Sequence, residues 1–298
     1  MKKDNIKPFG VWANIQTETP KNRIKLAQQV ERWGYGALWV PDPLTYDPFV
    51  NLAVLAVETD SICLATGIAN IHTRTPIAMA AARRSLSEFC NGRLILGLGV
   101  SHKEAISDRM HMDYSKPLTT MRNYLEQMNA PLPATIPDPT NATDPGLVVL
   151  AALGDKMVKL SATHADGAHP YLTTPEHTAR AREIMGPEAF LAPEQKVLFE
   201  TDPSTARAAA RNYLGMYFAL QNYRKNLLTL GFNQSDFENG GSNRLVDSLV
   251  IWGDAGKIRK ALEAHLDNGA DHVCIQPLKS DGSHGYDTRI LEALAPAG

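Results

Sequence analysis

Cysteine is scarce and scattered in this sequence. Cys63, Cys90 and Cys274 are an odd number, share no CxxC spacing, and each sits inside an apolar stretch. They give no basis for a disulfide framework, so buried thiols in a reducing, cytoplasmic setting are the expectation. No apolar run approaches eighteen residues and no basic-apolar-small leader opens the sequence, so neither membrane spanning nor export is expected. An excess of charge of one sign is missing too, with 30 Lys and Arg against 32 Asp and Glu and a formal charge of -2. Nucleic acid and anionic membrane are therefore poor partners, and a small molecule is the default. There is no fixed-period repeat and no low-complexity segment. No GxSxG occurs and no lysine stands at a strand end, which disfavours a serine nucleophile elbow and a Schiff-base aldolase.

What is present is a core-forming chain, 298 residues at 44% hydrophobic composition. Its clearest feature is Arg93-Leu-Ile-Leu-Gly-Leu-Gly-Val-Ser-His-Lys103. Leu94 to Leu98 shows no polar alternation, which is how a strand reads when both faces are covered, as in a parallel sheet. Gly97 and Gly99 then clear space at its carboxyl end for another backbone or a flat ligand. Seven further apolar strands have the same character: 9–13, 37–41, 62–68, 147–152, 167–171, 196–200 and 272–277. Helices are expected between them at 19–34, from about 46, 76–90, 121–128, 154–160, 175–185, 202–230 and 254–266, most opened by a capping residue or proline. The stretches 131–146 and 231–243 read as loop insertions. Eight strands alternating with helices predict a single (β/α)8 TIM barrel over residues 1–298, with a doubly wound sheet as the competitor.

Barrel sites lie at the carboxyl ends of the strands. His102 follows the two glycines and could handle a proton, or be a solvated loop histidine. Asp42, between Pro41 and Pro43, is a site carboxylate or a turn residue. Leu153-Gly-Asp-Lys156 opens a helix, so its first N–H groups and the lysine could hold a phosphate, although Asp155 opposes this and the full GxGxxG or P-loop spacing is missing. His72, His169 and Tyr171 could line a pocket. His164 and His169 are one at a helix end and one on a strand, short of a converging set, so no metal is expected.

Several segments together are specific: Ala65-Thr-Gly-Ile-Ala-Asn70, Gly92 to His102, Ala151-Ala-Leu-Gly-Asp-Lys156, Ala165-Asp-Gly-Ala-His-Pro-Tyr171, Asn222-Tyr-Arg-Lys-Asn-Leu227, Gly240 to Asp247, and Asp271-His-Val-Cys-Ile-Gln276. On these the chain resembles the bacterial luciferase-like monooxygenase fold, in its coenzyme F420-dependent oxidoreductase branch. The resemblance implies a barrel holding a deazaflavin, coenzyme F420, in its mouth, with hydride passed to or from a small carbonyl, alkene or alcohol. It implies a non-prolyl cis peptide at Gly67-Ile68 behind the ring, close approach at Gly99, and the cofactor phosphate on Ala152, Leu153, Gly154, Asp155 and Lys156. His102 would be the acid or base beside the ring, with Asp42, His72, His169 and Tyr171 bordering the pocket. Two positions depart from the pattern: Pro43 stands where some relatives carry histidine, and Gly154-Asp155 replaces glycine-proline. The alternatives are an FMN-dependent monooxygenase fed by a partner reductase, and a cofactor-binding protein without turnover. The resemblance also implies a homodimer through the second and third helices, with Ala78, Ala81 and Ala82 on the contact face, and substrate choice in the two insertions.

Overall fold

The computed structural model describes residues 2–131 and 144–296. The first half of the chain gives β1 Phe9–Trp12, α1 Pro20–Arg32, β2 Ala37–Val40, α2 Pro48–Val57, β3 Cys63–Thr66, β4 Ala69–Asn70, α3 Pro76–Phe89, β5 Leu94–Gly99 and α4 Pro117–Met128. Then come β6 Leu147–Leu150, α5 Asp155–His164, β7 Gly167–Ala168, α6 Pro175–Met185, β8 Phe190–Leu191, β9 Glu194–Leu198 and α7 Pro203–Phe218. The chain ends with α8 Gln221–Thr229, α9 Asn243–Leu249, β10 Val250–Trp252, α10 Ala255–Asp267, β11 Val273–Leu278 and α11 Thr288–Ala293.

The helices begin where local chemistry dictates. Proline occupies the first turn of α1, α2, α3, α4, α6 and α7, where its missing N–H has no helical partner to lose. Thr19, Asp47, Thr75, Asp202 and Asp254 cap the free amides of their helices with side-chain oxygens.

All strand pairs are parallel, in the order β10-β9-β11-β1-β2-β3-β5-β6-β7-β8, with β4 paired to β5. β8 and β9 are separated only by Ala192-Pro193 and run as one stave. That stave bonds to β7 through Ala192 N to Ala168 O and to β11 through Cys274 N to Pro193 O, so the sheet closes on itself. The result is the eight-stave barrel expected from the strand pattern. Inside, Trp12, Trp39, Ile95, Val149 and Phe190 fill the cylinder, while a larger apolar layer joins the staves to the surrounding helices. Burying one large apolar side chain is worth about 1.5–3 kcal/mol, so these layers are the main favourable term.

Three expectations need correction. The helical region 202–230 is two helices, broken at Leu220, whose ψ of 118° is extended. The stretch 231–243 is not a loose insertion. Gln234–Gly240 winds into 3-10 turns that Asp236 ties together through Asn233 N, Ser242 Oγ and Arg244 Nη2 at 2.6–2.8 Å. The seventh stave begins at Phe190 rather than at 196, and α9 and β10 were not expected at all. Most of the insertion expected at 131–146 lies outside the described residues.

Candidate active site

The carboxyl ends of the staves surround a cavity of about 500 Å³. Gly67-Ile68 lies on its wall, between β3 and β4, and the peptide bond joining the two is cis. Trp12 Nε1 donates to Gly67 O at 3.0 Å. A Cβ on Gly67 would sit 2.6 Å from that nitrogen, so only glycine fits. Gly99 works from behind: a Cβ there would lie 2.4 Å from Ile68 Cδ1, so its bare backbone lets the Ile68 side chain seat against β5.

His102 lines the cavity beside the Tyr223 ring, with centroids 5.4 Å apart. Burial pushes its pKa down, opposed by the neighbouring Asn222 side chain, so the imidazole is neutral at pH 7. Asp42 also borders the cavity. Its two oxygens accept from Leu44 N at 3.2 Å and Asn70 N at 3.1 Å, which makes it a brace for the segment following the Gly67-Ile68 bend. Burial raises its pKa and those two backbone bonds pull it back.

His169 is 1% exposed and stacks on Trp39 at 4.4 Å. Its Nδ1 lies 2.7 Å from Ala192 O, and since a carbonyl can only accept, Nδ1 carries the proton. Burial lowers its pKa to about 4. His72 stands outside the cavity lining. Asn70 Oδ1 holds its backbone, and its ring lies 6.4 Å from that of Tyr114, which does line the cavity.

Ala152, Leu153 and Gly154 line the cavity, and Leu153 and Gly154 also line an adjacent cleft of about 490 Å³ together with Asp155 and Lys156. Arg180 and Lys225 join them there. Gly154 is the N-cap of α5 and no side chain caps that helix, so its first amides stay available, and a Cβ on Gly154 would meet nothing within 4 Å. Asp155 is paired with Arg180 at 2.7 Å, which offsets the charge that would repel an anion. A broader groove of about 610 Å³, which includes the Arg74–Asp47 ion pair, meets the cavity only at Asp42. His164 ends α5 at the surface, bonded to Thr163, and does not converge with His169.

A family model described as luciferase-like monooxygenase matches residues 6–272. The chain belongs to the luciferase-like monooxygenase family. It is an oxidoreductase of the flavin- or deazaflavin-dependent kind by that membership. A protein of Mycobacterium tuberculosis, assigned by name to the coenzyme F420-dependent oxidoreductases, is 25% identical over 319 residues, covering 85% of this chain and 89% of its own. A 5,10-methylenetetrahydromethanopterin reductase of Methanolobus tindarius is 38% identical over 97 residues, 32% of this chain and 29% of its own. The solved structure of the coenzyme F420-dependent tetrahydromethanopterin reductase from Methanopyrus kandleri superposes with a TM-score of 0.75 at 18% identity, covering 97% of each chain, which establishes the shared fold.

Sequence reasoning missed a polar cluster in the wall of this luciferase-like barrel. Glu194 and Lys196, both wholly buried, pair at 2.8 Å. Lys196 Nζ lies 3.7 Å from the centroid of the Tyr171 ring. Burial pushes Glu194 up and Lys196 down, and the attraction between them opposes both. Above them the hydroxyls form a closed loop. Tyr171 donates to Gln276 Oε1 at 2.9 Å, so the Tyr171–Tyr217 contact at 2.9 Å must have Tyr217 as donor. By the same reasoning Tyr213 donates to Tyr217 at 3.3 Å, and Gln276 Nε2 returns to Tyr213 at 2.5 Å. The available signal was spacing: Glu194 and Lys196 are two apart on a strand, Tyr213 and Tyr217 four apart on a helix.

Proposed function

We propose that the protein is a coenzyme F420-dependent oxidoreductase that transfers hydride between the deazaflavin and a small carbonyl, alkene or alcohol. The observation that carries this is the adjacency of two spaces that share Leu153, Gly154 and Asn222: a barrel-mouth cavity with a glycine-cleared wall, and a cleft lined by a helix N-terminus, Lys156, Lys225 and the Asp155-paired Arg180. A flat ring with a phosphate-bearing tail matches that pair of spaces. The tail would lie on the α5 amides with Lys156 and Lys225 nearby, and the ring against Gly67-Ile68. The names of the mycobacterial relative and of the Methanopyrus kandleri reductase, both of which specify coenzyme F420, favour the deazaflavin over FMN.

When bound, a deazaflavin supplies hydride chemistry with little reactivity toward oxygen. The chain supplies the rest. Ile68, held by Gly99, sets one wall, and the aromatic side chains exclude water. His102 stands neutral at the cavity and can exchange a proton with a substrate. The proposed partner is a second copy of the chain. Val50, Val54 and Val57 on α2 and Ile77 on α3 are 44–74% exposed and lie on adjacent helices, an apolar face that self-association would cover.

The test is a fluorescence titration with oxidised F420 and, separately, FMN. We expect saturable quenching by F420, and Lys156→Glu should weaken it at least about tenfold, an effect that shrinks with added salt. Preference for FMN would replace this reading with the flavin monooxygenase. Binding of neither would leave a barrel without either cofactor.

A further inference from the structure

Five tyrosines stand in or beside the cavity, and four of their hydroxyls are committed. Tyr171, Tyr213 and Tyr217 are locked in the loop with Gln276, and Tyr114 donates to Ser101 O at 2.8 Å. The fifth, Tyr223, is 6% exposed and lines the cavity. Its ring is fixed by Tyr217 at 5.5 Å edge-on, by His102 at 5.4 Å and by Tyr171 at 6.2 Å. Among the described residues its hydroxyl has no hydrogen-bond partner, and it is not one of the sealed-off polar atoms. A buried phenol ordinarily finds a partner, so one that faces a cavity unpaired marks where a ligand atom belongs.

We propose that Tyr223 is a catalytic residue that binds the substrate's oxygen and exchanges a proton with it, so that the substrate class is a carbonyl compound and its alcohol rather than an isolated alkene. This rests on the hydride-transfer reading and narrows it. If the carbonyl carbon received a hydride, which a bound reduced deazaflavin would supply, the C=O π pair would move onto oxygen. That oxygen takes the Tyr223 proton, an O–H bond forms, and the phenolate recovers a proton from water at the cavity mouth. The substrate gains two electrons and the deazaflavin loses them. Burial pushes the phenol's pKa above its ordinary value, which keeps it protonated and brings it nearer that of an alkoxide. Reduction of an isolated alkene would instead require protonation of carbon, to which such a weak acid is ill suited.

Tyr223→Phe keeps the ring and removes only the hydroxyl. The first readout is the infrared carbonyl band of 13C-labelled cyclohexanone, acetophenone and 2-cyclohexenone, each bound to protein loaded with oxidised F420, where no turnover occurs. We expect at least one to show a lower-frequency band in the native protein that is lost in Tyr223→Phe. We also expect that variant to bind F420 within about twofold of the native protein and to lose about 10²-fold or more in kcat for ketone reduction. Identical bands in both proteins, no tyrosine-dependent band with any of the three ketones, or ketone turnover retained within about threefold would each overturn the proposal. The infrared arm also runs on cofactor-free protein, so a failure of F420 to bind and a failure of Tyr223 to bind oxygen are read separately.

Discussion

Lys196 is the residue whose replacement should be felt most. Its ammonium is fully buried, with Glu194 as its hydrogen-bond acceptor and the Tyr171 ring against it. Removing one member of such a pair leaves the other charge unpaired, so Lys196→Met should lower unfolding free energy by about 3–5 kcal/mol. The double variant Glu194→Gln/Lys196→Met should recover most of that loss, and urea midpoints for the three proteins measure it. A double variant as unstable as the single would show that the ion pair is not the source. Neither residue was legible as a pair, because Glu194 falls in the proline-bounded gap before the strand as read and one sequence does not say which face of a strand points inward. Asp42 could be read two ways from the sequence, and it does border the cavity. Its place between prolines left a site carboxylate and a turn residue both open, and its two oxygens accept from the backbone of Leu44 and Asn70. His102 was legible from the two glycines before it, but Tyr223 was hidden because an aromatic on a helix reads as core.

Helices with a written start were read well, since a capping residue followed by proline marks α1, α3 and α7 in the sequence itself. The break between α7 and α8 has no such mark. Phe218-Ala-Leu-Gln221 contains neither glycine nor proline, and the bend comes from tertiary packing of Phe218, Leu220 and Tyr223 into one cluster. That bend is what turns Asn222 and Tyr223 toward the cavity. β8 escaped notice because it is two residues long and a proline, Pro193, follows one residue after it. The exposed valines of α2 make a separate test. Val54→Lys should convert the proposed dimer to a monomer by light scattering while F420 affinity stays within about twofold of native. A native protein that is already monomeric at high concentration would remove the second copy from the proposal.

At the scale of the whole molecule, the barrel was legible because eight apolar runs without polar alternation have few other places to go. Three buried histidines, two on its staves and one on α10, set how the protein responds to acid. His169, His265 and His272 are buried and held to a pKa of about 4. Unfolded, each would titrate near 6.5, so between these values the unfolded chain binds protons that the folded one refuses. Stability is therefore full above about pH 6.5 and falls with decreasing pH until about pH 4. Each ring contributes on the order of 2 kcal/mol of loss between pH 7 and pH 5. Urea unfolding at those two pH values should show a drop of several kcal/mol. A flat profile would mean that the rings are hydrated in the native state.

The closed loop of Tyr171, Tyr217, Tyr213 and Gln276 has a consequence for what the cavity can dissolve. Each hydroxyl proton in the loop already points at a neighbour's oxygen, so this wall shows a visiting molecule ring faces and lone pairs but no proton. By composition the lining looks wet, with five tyrosines on or just behind it. Toward a negatively charged guest that wall behaves as oil does, and the donors the cavity can offer lie beyond the loop, at Tyr223, His102 and Asn222.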